Sequence, residues 1–175
     1  GKDPMTILLI YPPFAMPDKP YISLPVLAAH LESLGIPVAC WDANLAFFRK
    51  SLAPSVLAQR GWTEEKPPWD LFNEESLGNR DRLNLFGRYL EGINSPTETL
   101  CLTGNTGYLR YDPGISLFDS HTLVTAAGQP GSLTRDALES LIPGLLQENA
   151  PCLAGISVPF PDQILPALTL AALLK

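Results

Sequence analysis

The sequence predicts an α/β protein built around a parallel sheet. Two apolar runs of strand length, residues 6–11 and 36–41, flank a segment whose leucines recur at helical spacing. A third apolar run, residues 152–158, is again followed by a helical segment, residues 164–175. Strands that alternate with helices are typical of parallel sheets, because parallel neighbours need a long crossover connection. We expect these three strands in one sheet, with residues 6–11 at its centre.

The first helix is predicted between the first two strands. Its apolar positions share one spacing and comprise Leu24, Leu27, Ala28, Leu31 and Leu34. Ser23 is a good N-cap candidate, and Pro25 fits the first turn, where its missing N–H costs little. Gly35 is the glycine expected directly after the C-terminus of the helix.

The connection between the first strand and this helix is unusually long. Residues 11–22 include four prolines, whereas most strand-to-helix connections have only a few residues. Ligands of open α/β sheets bind outside the carboxyl ends of the strands, so this loop could form one wall of a ligand site. An ordinary surface loop is an equally good interpretation. The loop after the third strand, residues 159–163, also carries prolines, a phenylalanine and an aspartate, and we expect both loops at one sheet edge.

The middle of the chain gives weaker signals. Residues 45–57 have helical spacing that Pro54 should interrupt. Residues 71–93 favour one or two amphipathic helices, after a loop at residues 64–70. Residues 95–131 are irregular, with a turn at Asp112-Pro113-Gly114 and with strands or helix ends at 115–118 and 122–126. A helix at residues 133–148, capped by Ser132 or Thr134 and kinked at Pro143, follows. We interpret residues 60–131 as an irregular or helical insertion in a domain that covers residues 5–175.

Composition excludes several classes of protein. The chain has 175 residues, of which 46% are hydrophobic and 17% charged, so it is globular. A net charge of −6 argues against nucleic-acid binding, which needs clustered lysine and arginine. No signal peptide and no membrane-spanning run is recognisable, so no membrane partner is predicted. Three widely spaced cysteines, two of them in apolar surroundings (Cys40 and Cys152), favour reduced thiols and a cytoplasmic protein. Residues 1–4 precede the first Met and are interpreted as a cloning remnant.

The familiar catalytic and cofactor motifs are missing from the sequence. It contains no phosphate-binding glycine loop, no C-x-x-C pair and no G-x-S-x-G elbow. Asp42, at the end of the second strand, could bind a ligand hydroxyl or cap the next helix, and capping is favoured. His30 and His121 are interpreted as packing or surface residues. No residue is predicted to be catalytic, and no metal ligand is predicted.

Two stretches of the chain resemble a known family. Residues 7–14 (ILLIYPPF) and 17–25 (PDKPYISLP), followed by the helix to Gly35, resemble the N-terminal cobalamin-binding domain of cobalamin-dependent radical SAM enzymes. Residues 42–45 (DANL) and 155–161 (GISVPFP) are similar to the same family. The resemblance covers residues 6–48 and 152–175 and does not extend to the residues between them.

The resemblance implies a flavodoxin-like (Rossmann-like) three-layer domain that holds the corrin ring of cobalamin at the carboxyl edge of its sheet. The cofactor-binding residues that it implies are Tyr11, Pro12, Pro13, Ile22, Ser23, Leu24, Asp42, Asn44, Pro159, Phe160 and Gln163. The Asp-x-His-x-x-Gly signature that supplies a cobalt ligand in other cobalamin proteins is missing. The resemblance therefore implies no cobalt-ligating histidine from the first loop.

The same resemblance implies a longer parent protein. The C-x-x-x-C-x-x-C motif is missing, so S-adenosylmethionine and an iron–sulfur cluster would belong to a C-terminal radical SAM domain that is not in this sequence. The chain would be a C-terminally truncated fragment, not catalytic alone, of an enzyme that methylates or rearranges an unactivated carbon. The alternatives are a non-catalytic interaction domain with this fold and the nucleotide-sugar-binding half of a glycosyltransferase. If the domain is truncated, the edge of the strand at residues 152–158 is bare, and we expect dimers through it.

Overall fold

A computed structural model describes residues 6–19, 21–62, 79–103 and 107–175 of the chain. In chain order the strands and α-helices are β1 (Ile7–Tyr11), α1 (Ser23–Ser33), β2 (Val38–Asp42), α2 (Ala43–Ser51), α3 (Pro54–Gln59), α4 (Asn79–Ile93), β3 (Thr99–Thr103), β4 (Tyr108–Asp112), α5 (Ser120–Gly128), α6 (Leu133–Leu138), α7 (Ile142–Asn149), β5 (Leu153–Ile156) and α8 (Ile164–Leu173). Short 3₁₀ turns at Glu139–Leu141 and Pro161–Gln163 precede α7 and α8. The predicted cloning remnant (1–4) and loop (64–70) lie outside the described residues.

The central sheet has the predicted arrangement. β2, β1 and β5 form a three-stranded parallel sheet in that order, with Leu8 of β1 beside Ala39 and Ala154. β1 is buried on both faces, as its continuous apolar run predicts. Leu8 and Ile10 join the larger core on one face, and Leu9 joins a smaller core beneath α1 on the other. The α/β class and the parallel sheet are therefore confirmed.

The predicted end of α1 is confirmed, whereas its predicted start is wrong. Gly35 has φ +75°, the Gly35 N–H donates to the Glu32 carbonyl, and the Ile36 N–H donates to the Leu31 carbonyl. This pair of bonds satisfies the last carbonyls of the helix. The predicted N-cap is wrong: Ile22 occupies that position without a side-chain bond, and Ser23 is the first helical residue.

The apolar face of α1 is narrower than its leucine spacing predicts. Leu24 is buried, and Ala28 and Leu31 pack against the smaller core. Leu27 and Leu34 are exposed instead. A single sheet face covers only part of the helix, so periodicity alone overestimates the buried stripe.

Polar caps and prolines set the bounds of the next helices. Asp42 accepts a hydrogen bond from the Leu45 N–H at 2.7 Å, which confirms the favoured capping role. Pro54 separates α2 from α3 and occupies the first turn of α3. Ser132 caps α6 through the Arg135 N–H. The single helix predicted at residues 133–148 is divided into α6, a 3₁₀ turn and α7, with Pro143 in the first turn of α7.

An antiparallel hairpin, β3–β4, lies inside the region predicted to be irregular. It pairs Thr99 with Asp112 and Thr103 with Tyr108. The predicted turn at 112–114 is confirmed, because the Asp112 carboxylate accepts from the Gly114 N–H at 2.8 Å. Gly114 has φ +64°, and a side chain there would meet the Thr97 carbonyl. Residues 122–126 lie within α5, and residues 115–118 form a turn instead of a strand.

The outer edge of the sheet carries exposed apolar and thiol groups. Among the described residues, β5 pairs with β1 alone, and 59% of the Leu153 surface is exposed. Cys40 and Cys152, which lie in apolar stretches of the sequence, are both exposed. Within the described ranges, no helix has the length and apolar character needed to cross a bilayer. Dimerisation through β5 stays a prediction.

Candidate functional site

The loops after β1 and β5 meet at the carboxyl edge of the sheet, as predicted. The side-chain amide of Gln163 donates to the Pro12 carbonyl at 2.6 Å, and Gln163 is fully buried. The rings of Tyr21 and Phe160 lie 6.0 Å apart, edge to face. The Ser23 and Ser157 hydroxyls lie within 3.3 Å of each other. The two parallel strands end together, so both loops are held at one edge of the sheet.

A cavity of about 330 Å³ lies between these two loops and the β3–β4 hairpin. Its walls are mostly aromatic or apolar, with one lysine and one aspartate. The lining residues are Tyr11, Phe14, Ala15, Met16, Lys19, Tyr21, Tyr108, Leu109, Phe160, Pro161 and Asp162. Its volume is at the lower end of the ~300–1,000 Å³ that is usual for small-molecule sites.

Stacked and edge-to-face rings form the walls of the cavity. Tyr11 and Tyr21 are stacked, with ring centroids 4.8 Å apart and planes within 12°. Phe14 lies deeper, and its ring contacts Tyr111 at a centroid distance of 4.4 Å. Phe160 and Tyr108 stand at the mouth and are 48% and 64% exposed. The site therefore has a fixed aromatic floor and two rings that a ligand could cover.

Two charged side chains complete the lining. Asp162 accepts a hydrogen bond from the Tyr111 N–H at 3.3 Å, which fixes the carboxylate to the hairpin. The Lys19 ammonium lies 5.5 Å from the centroid of the Tyr108 ring, in a cation–π contact. The carboxylate is half-buried, whereas the lysine is exposed and held by a long flexible stem.

Tyr11 is a hydrogen-bonding group and not a base at neutral pH. Burial raises the pKa of the Tyr11 hydroxyl above its ordinary value, and the Gln163 amide acts in the opposite direction. Because the net shift is upward, the hydroxyl stays protonated and can donate to a ligand.

A buried carboxylate fastens the hairpin that closes the cavity. Glu98 is 5% exposed; it accepts one hydrogen bond from the Tyr111 hydroxyl and another, at 2.6 Å, from the Leu133 N–H at the start of α6. Burial and the Glu98 carboxylate together raise the pKa of Tyr111. The same tyrosine thus joins Glu98 through its hydroxyl and Asp162 through its N–H.

The structure brings together only some of the residues that the resemblance assigns to cofactor binding. Tyr11 and Phe160 line the cavity. Three others support the loops around it: Pro12 and Gln163 bond to each other, and the Asn44 side chain accepts from the Ala15 N–H at 2.9 Å. Through these bonds the three residues have structural roles, although the side-chain oxygen of Gln163 is buried without a hydrogen-bond partner.

The remaining predicted residues lie elsewhere. Pro13 is buried in the loop, Leu24 is buried on the inner face of α1, and Pro159 is half-buried. Ile22 and Ser23 lie at the start of α1, outside the cavity lining. Asp42 caps α2 and lines a different, open depression beside Arg49 and Lys50. The second strand therefore contributes nothing to the cavity.

Sequence reasoning missed the hairpin wall of the site, Tyr108 and Leu109. The alternation of residues 99–103 and 108–112 on either side of a left-handed Gly107 was the available signal. It is weak because the two strands, TLCLT and YLRYD, mix polar and apolar residues and form no continuous apolar run. Asp162 was noted only as part of its loop.

No set of three or more histidine, cysteine, aspartate or glutamate side chains in the described part of the chain could hold a metal ion. Comparisons of the sequence and structure with known protein families, characterised proteins and solved structures found no significant match.

Proposed function

We propose that this chain is a flavodoxin-like domain that binds cobalamin at the carboxyl edge of its parallel sheet and serves a radical SAM domain. The observation that carries the proposal is the meeting of the β1 and β5 loops at that edge, with a cavity of about 330 Å³ beside them. Ligands of open α/β sheets bind at this edge. The sequence resemblance lies in the same two loops.

The surface around the cavity suits a large, partly apolar ring system. Ile22, Val158 and Phe160 are all exposed at this edge, and a group of exposed apolar side chains is a common property of ligand-binding surfaces. A corrin ring could cover them, while the cavity could admit only a small part of the cofactor. The residues present therefore fit part of a cobalamin site.

In this role the chain would bind and orient the cofactor without reacting itself. The bound cobalamin would supply methyl-transfer or rearrangement chemistry at an unactivated carbon. S-adenosylmethionine and the iron–sulfur cluster would be bound by the C-terminal radical SAM domain. We propose a cytoplasmic location for the same assembly.

Titration with hydroxocobalamin, followed by its visible spectrum, tests the proposal. The 175-residue chain should bind weakly or not at all, since a large ligand needs most of its surface buried. A longer protein in which this domain is joined to a radical SAM domain should bind stoichiometrically. A colourless longer protein would overturn the proposal and favour the non-catalytic interaction domain.

A pair of phenylalanine variants of the longer protein localises the site. Phe160→Ala removes an exposed ring at the proposed edge and should weaken binding about tenfold. Phe118→Ala removes a fully exposed ring outside the cavity lining and should leave binding unchanged. Equal effects of the two substitutions would place the cofactor elsewhere.

A further inference from the structure

We infer that the cavity between the hairpin and the two loops is a binding site for a small aromatic cation: one or two planar rings bearing an ammonium or protonated amine. The inference concerns the same cavity that supports the cobalamin proposal, but it rests on the chemistry of the cavity lining and goes beyond that proposal. Three features support it: the arrangement of the rings, the position of Asp162 and the behaviour of Lys19.

The first feature is the arrangement of aromatic rings. The Tyr11 and Tyr21 rings are stacked with centroids 4.8 Å apart, and Phe160 meets Tyr21 edge to face at a centroid distance of 6.0 Å. A flat ring inserted beside this set can stack on one face and meet an edge on another, the geometries that aromatic pairs prefer. Tyr108 and Phe160 are exposed at the mouth without a ligand, and a bound ring would remove part of that apolar surface from water.

The second feature is a carboxylate held in the apolar lining. Asp162 uses one oxygen, Oδ2, to accept from the Tyr111 N–H. Among the described residues, no lysine, arginine or histidine forms an ion pair with it, so Oδ1 is left to accept from a ligand. A hydrogen bond to a charged donor is about twice as strong as a neutral one. A ligand with an ammonium group would satisfy this oxygen, whereas a ligand carboxylate would be repelled.

The third feature is that the mouth already attracts a cation. The Lys19 ammonium lies over the Tyr108 ring at 5.5 Å, the position that a ligand ammonium would favour. Lys19 is exposed and its stem is flexible, so a ligand can displace it into water at small cost. The net charge of −6 adds a weak general attraction for cations.

The site is held in place before any ligand arrives. Tyr111 is anchored through its hydroxyl to buried Glu98, which also binds the start of α6. The Tyr111 N–H in turn donates to Asp162 and so holds the carboxylate beside the rings. Preorganisation of this kind lowers the entropy lost on binding.

Three matched probes test both the ring and the charge. Tryptamine carries an aromatic ring and an ammonium, indole-3-acetate carries the same ring and a carboxylate, and hexylamine carries the ammonium alone. Calorimetry and ligand-observed NMR on the purified chain should show that tryptamine binds about tenfold or more tightly than either of the others. Equal affinity of tryptamine and indole-3-acetate would overturn the inference, as would the absence of tryptamine binding at millimolar concentration.

Two isosteric variants separate the site from general electrostatics. Asp162→Asn keeps an oxygen for the Tyr111 N–H but removes the charge, so tryptamine and indole-3-acetate should then bind within about threefold of each other. Asp18→Asn removes an equal charge from an exposed position in the first loop and should preserve the preference. If Asp18→Asn abolished the preference as fully as Asp162→Asn, the preference would reflect net charge and the inference would fail. Cobalamin binding is read from a visible spectrum, so the two proposals fail independently.

Discussion

The parallel sheet and the β3–β4 hairpin border the same cavity and share the larger apolar core, which includes Leu100 and Tyr111, but the hairpin depends in addition on buried polar bonds. β1 lies between two apolar cores, and its central side chains Leu8 and Ile10 are fully buried. Polar groups fix the ends of the hairpin. The Asn94 side chain donates to the Leu100 carbonyl and accepts from the Leu100 N–H. The Glu98 carboxylate accepts from the Tyr111 hydroxyl and the Leu133 N–H. Apolar burial is tolerant of exact geometry, whereas a buried carboxylate requires each of its partners.

This difference assigns the two regions different roles at the site. The sheet fixes where its edge lies, and with it the loops that carry Tyr11 and Phe160. The hairpin fixes one wall and, through the Tyr111 N–H, the orientation of Asp162. Loss of the hairpin should therefore affect ligand binding more than it affects the sheet.

The largest effect is expected for Glu98→Ala. Two buried donors, the Tyr111 hydroxyl and the Leu133 N–H, would lose their acceptor, at about 1–3 kcal/mol each, so the free energy of unfolding should fall by about 2–6 kcal/mol. Urea denaturation measures the free energy of unfolding. The control is Glu148→Ala, because Glu148 is exposed. Hydrogen exchange should show faster exchange in β3 and β4 than in β1. Uniform acceleration across both sheets would contradict the division into two regions.

Leu8→Ala tests the other side of the comparison. Leu8 is fully buried in the central strand, and its truncation should lower the free energy of unfolding by about 2–5 kcal/mol. Leu153 pairs directly with Ile7 in the sheet but is 59% exposed. Leu153→Ala should therefore change the free energy of unfolding by less than about 1 kcal/mol. Here hydrogen exchange should accelerate in β1, β2 and β5 together. Protection of those strands in the Leu8 variant would show that the apolar core is not what holds the sheet.

Tyr111→Phe should have the smallest effect at neutral pH and a distinctive pH dependence. Loss of the hydroxyl leaves Glu98 with one partner fewer and should cost about 1–3 kcal/mol at pH 7. Because the folded pKa of Tyr111 is raised, its contribution is fully present below the unfolded value of about 10 and falls as pH rises above it. The difference in free energy of unfolding between wild type and variant should therefore shrink by up to about 1.4 kcal/mol per pH unit above pH ~10. A constant difference between pH 8 and pH 11, measured by urea denaturation, would contradict the buried bond.

Much of the fold could be predicted because its signals are local. Apolar runs bounded by proline and glycine located β1, β2, β5, α1 and α8, and their alternation predicted the parallel sheet. The central place of β1 was expected from the strand order of a flavodoxin-like domain, and the structure has that order. Capping by Asp42 and termination at Gly35 depend on residues only a few positions away. The meeting of the β1 and β5 loops at one edge followed from the parallel arrangement alone.

The parts that could not be predicted depend on contacts between distant segments. The predicted Ser23 cap failed because that hydroxyl faces Ser157, 134 residues away. Leu27 and Leu34 share the spacing of Leu24 but are exposed, because one sheet face covers only part of α1. Asp42, assigned to the cofactor by resemblance, lies at a strand end that the cavity does not reach.

The sequence by itself determined the class of the fold and the edge at which two proline-containing loops lie, because periodicity and chain breaks act over a few residues. Only the tertiary structure decided the cavity. Its third wall comes from a hairpin whose five-residue strands carry a weak pattern, and whose position depends on a glutamate that bonds residues 13 and 35 positions away. The carboxylate of Asp162 is fixed by a backbone N–H 51 residues earlier in the chain. Bonds over such separations form only once the core is packed, because the entropy cost of closing the intervening loops must first be offset by burial.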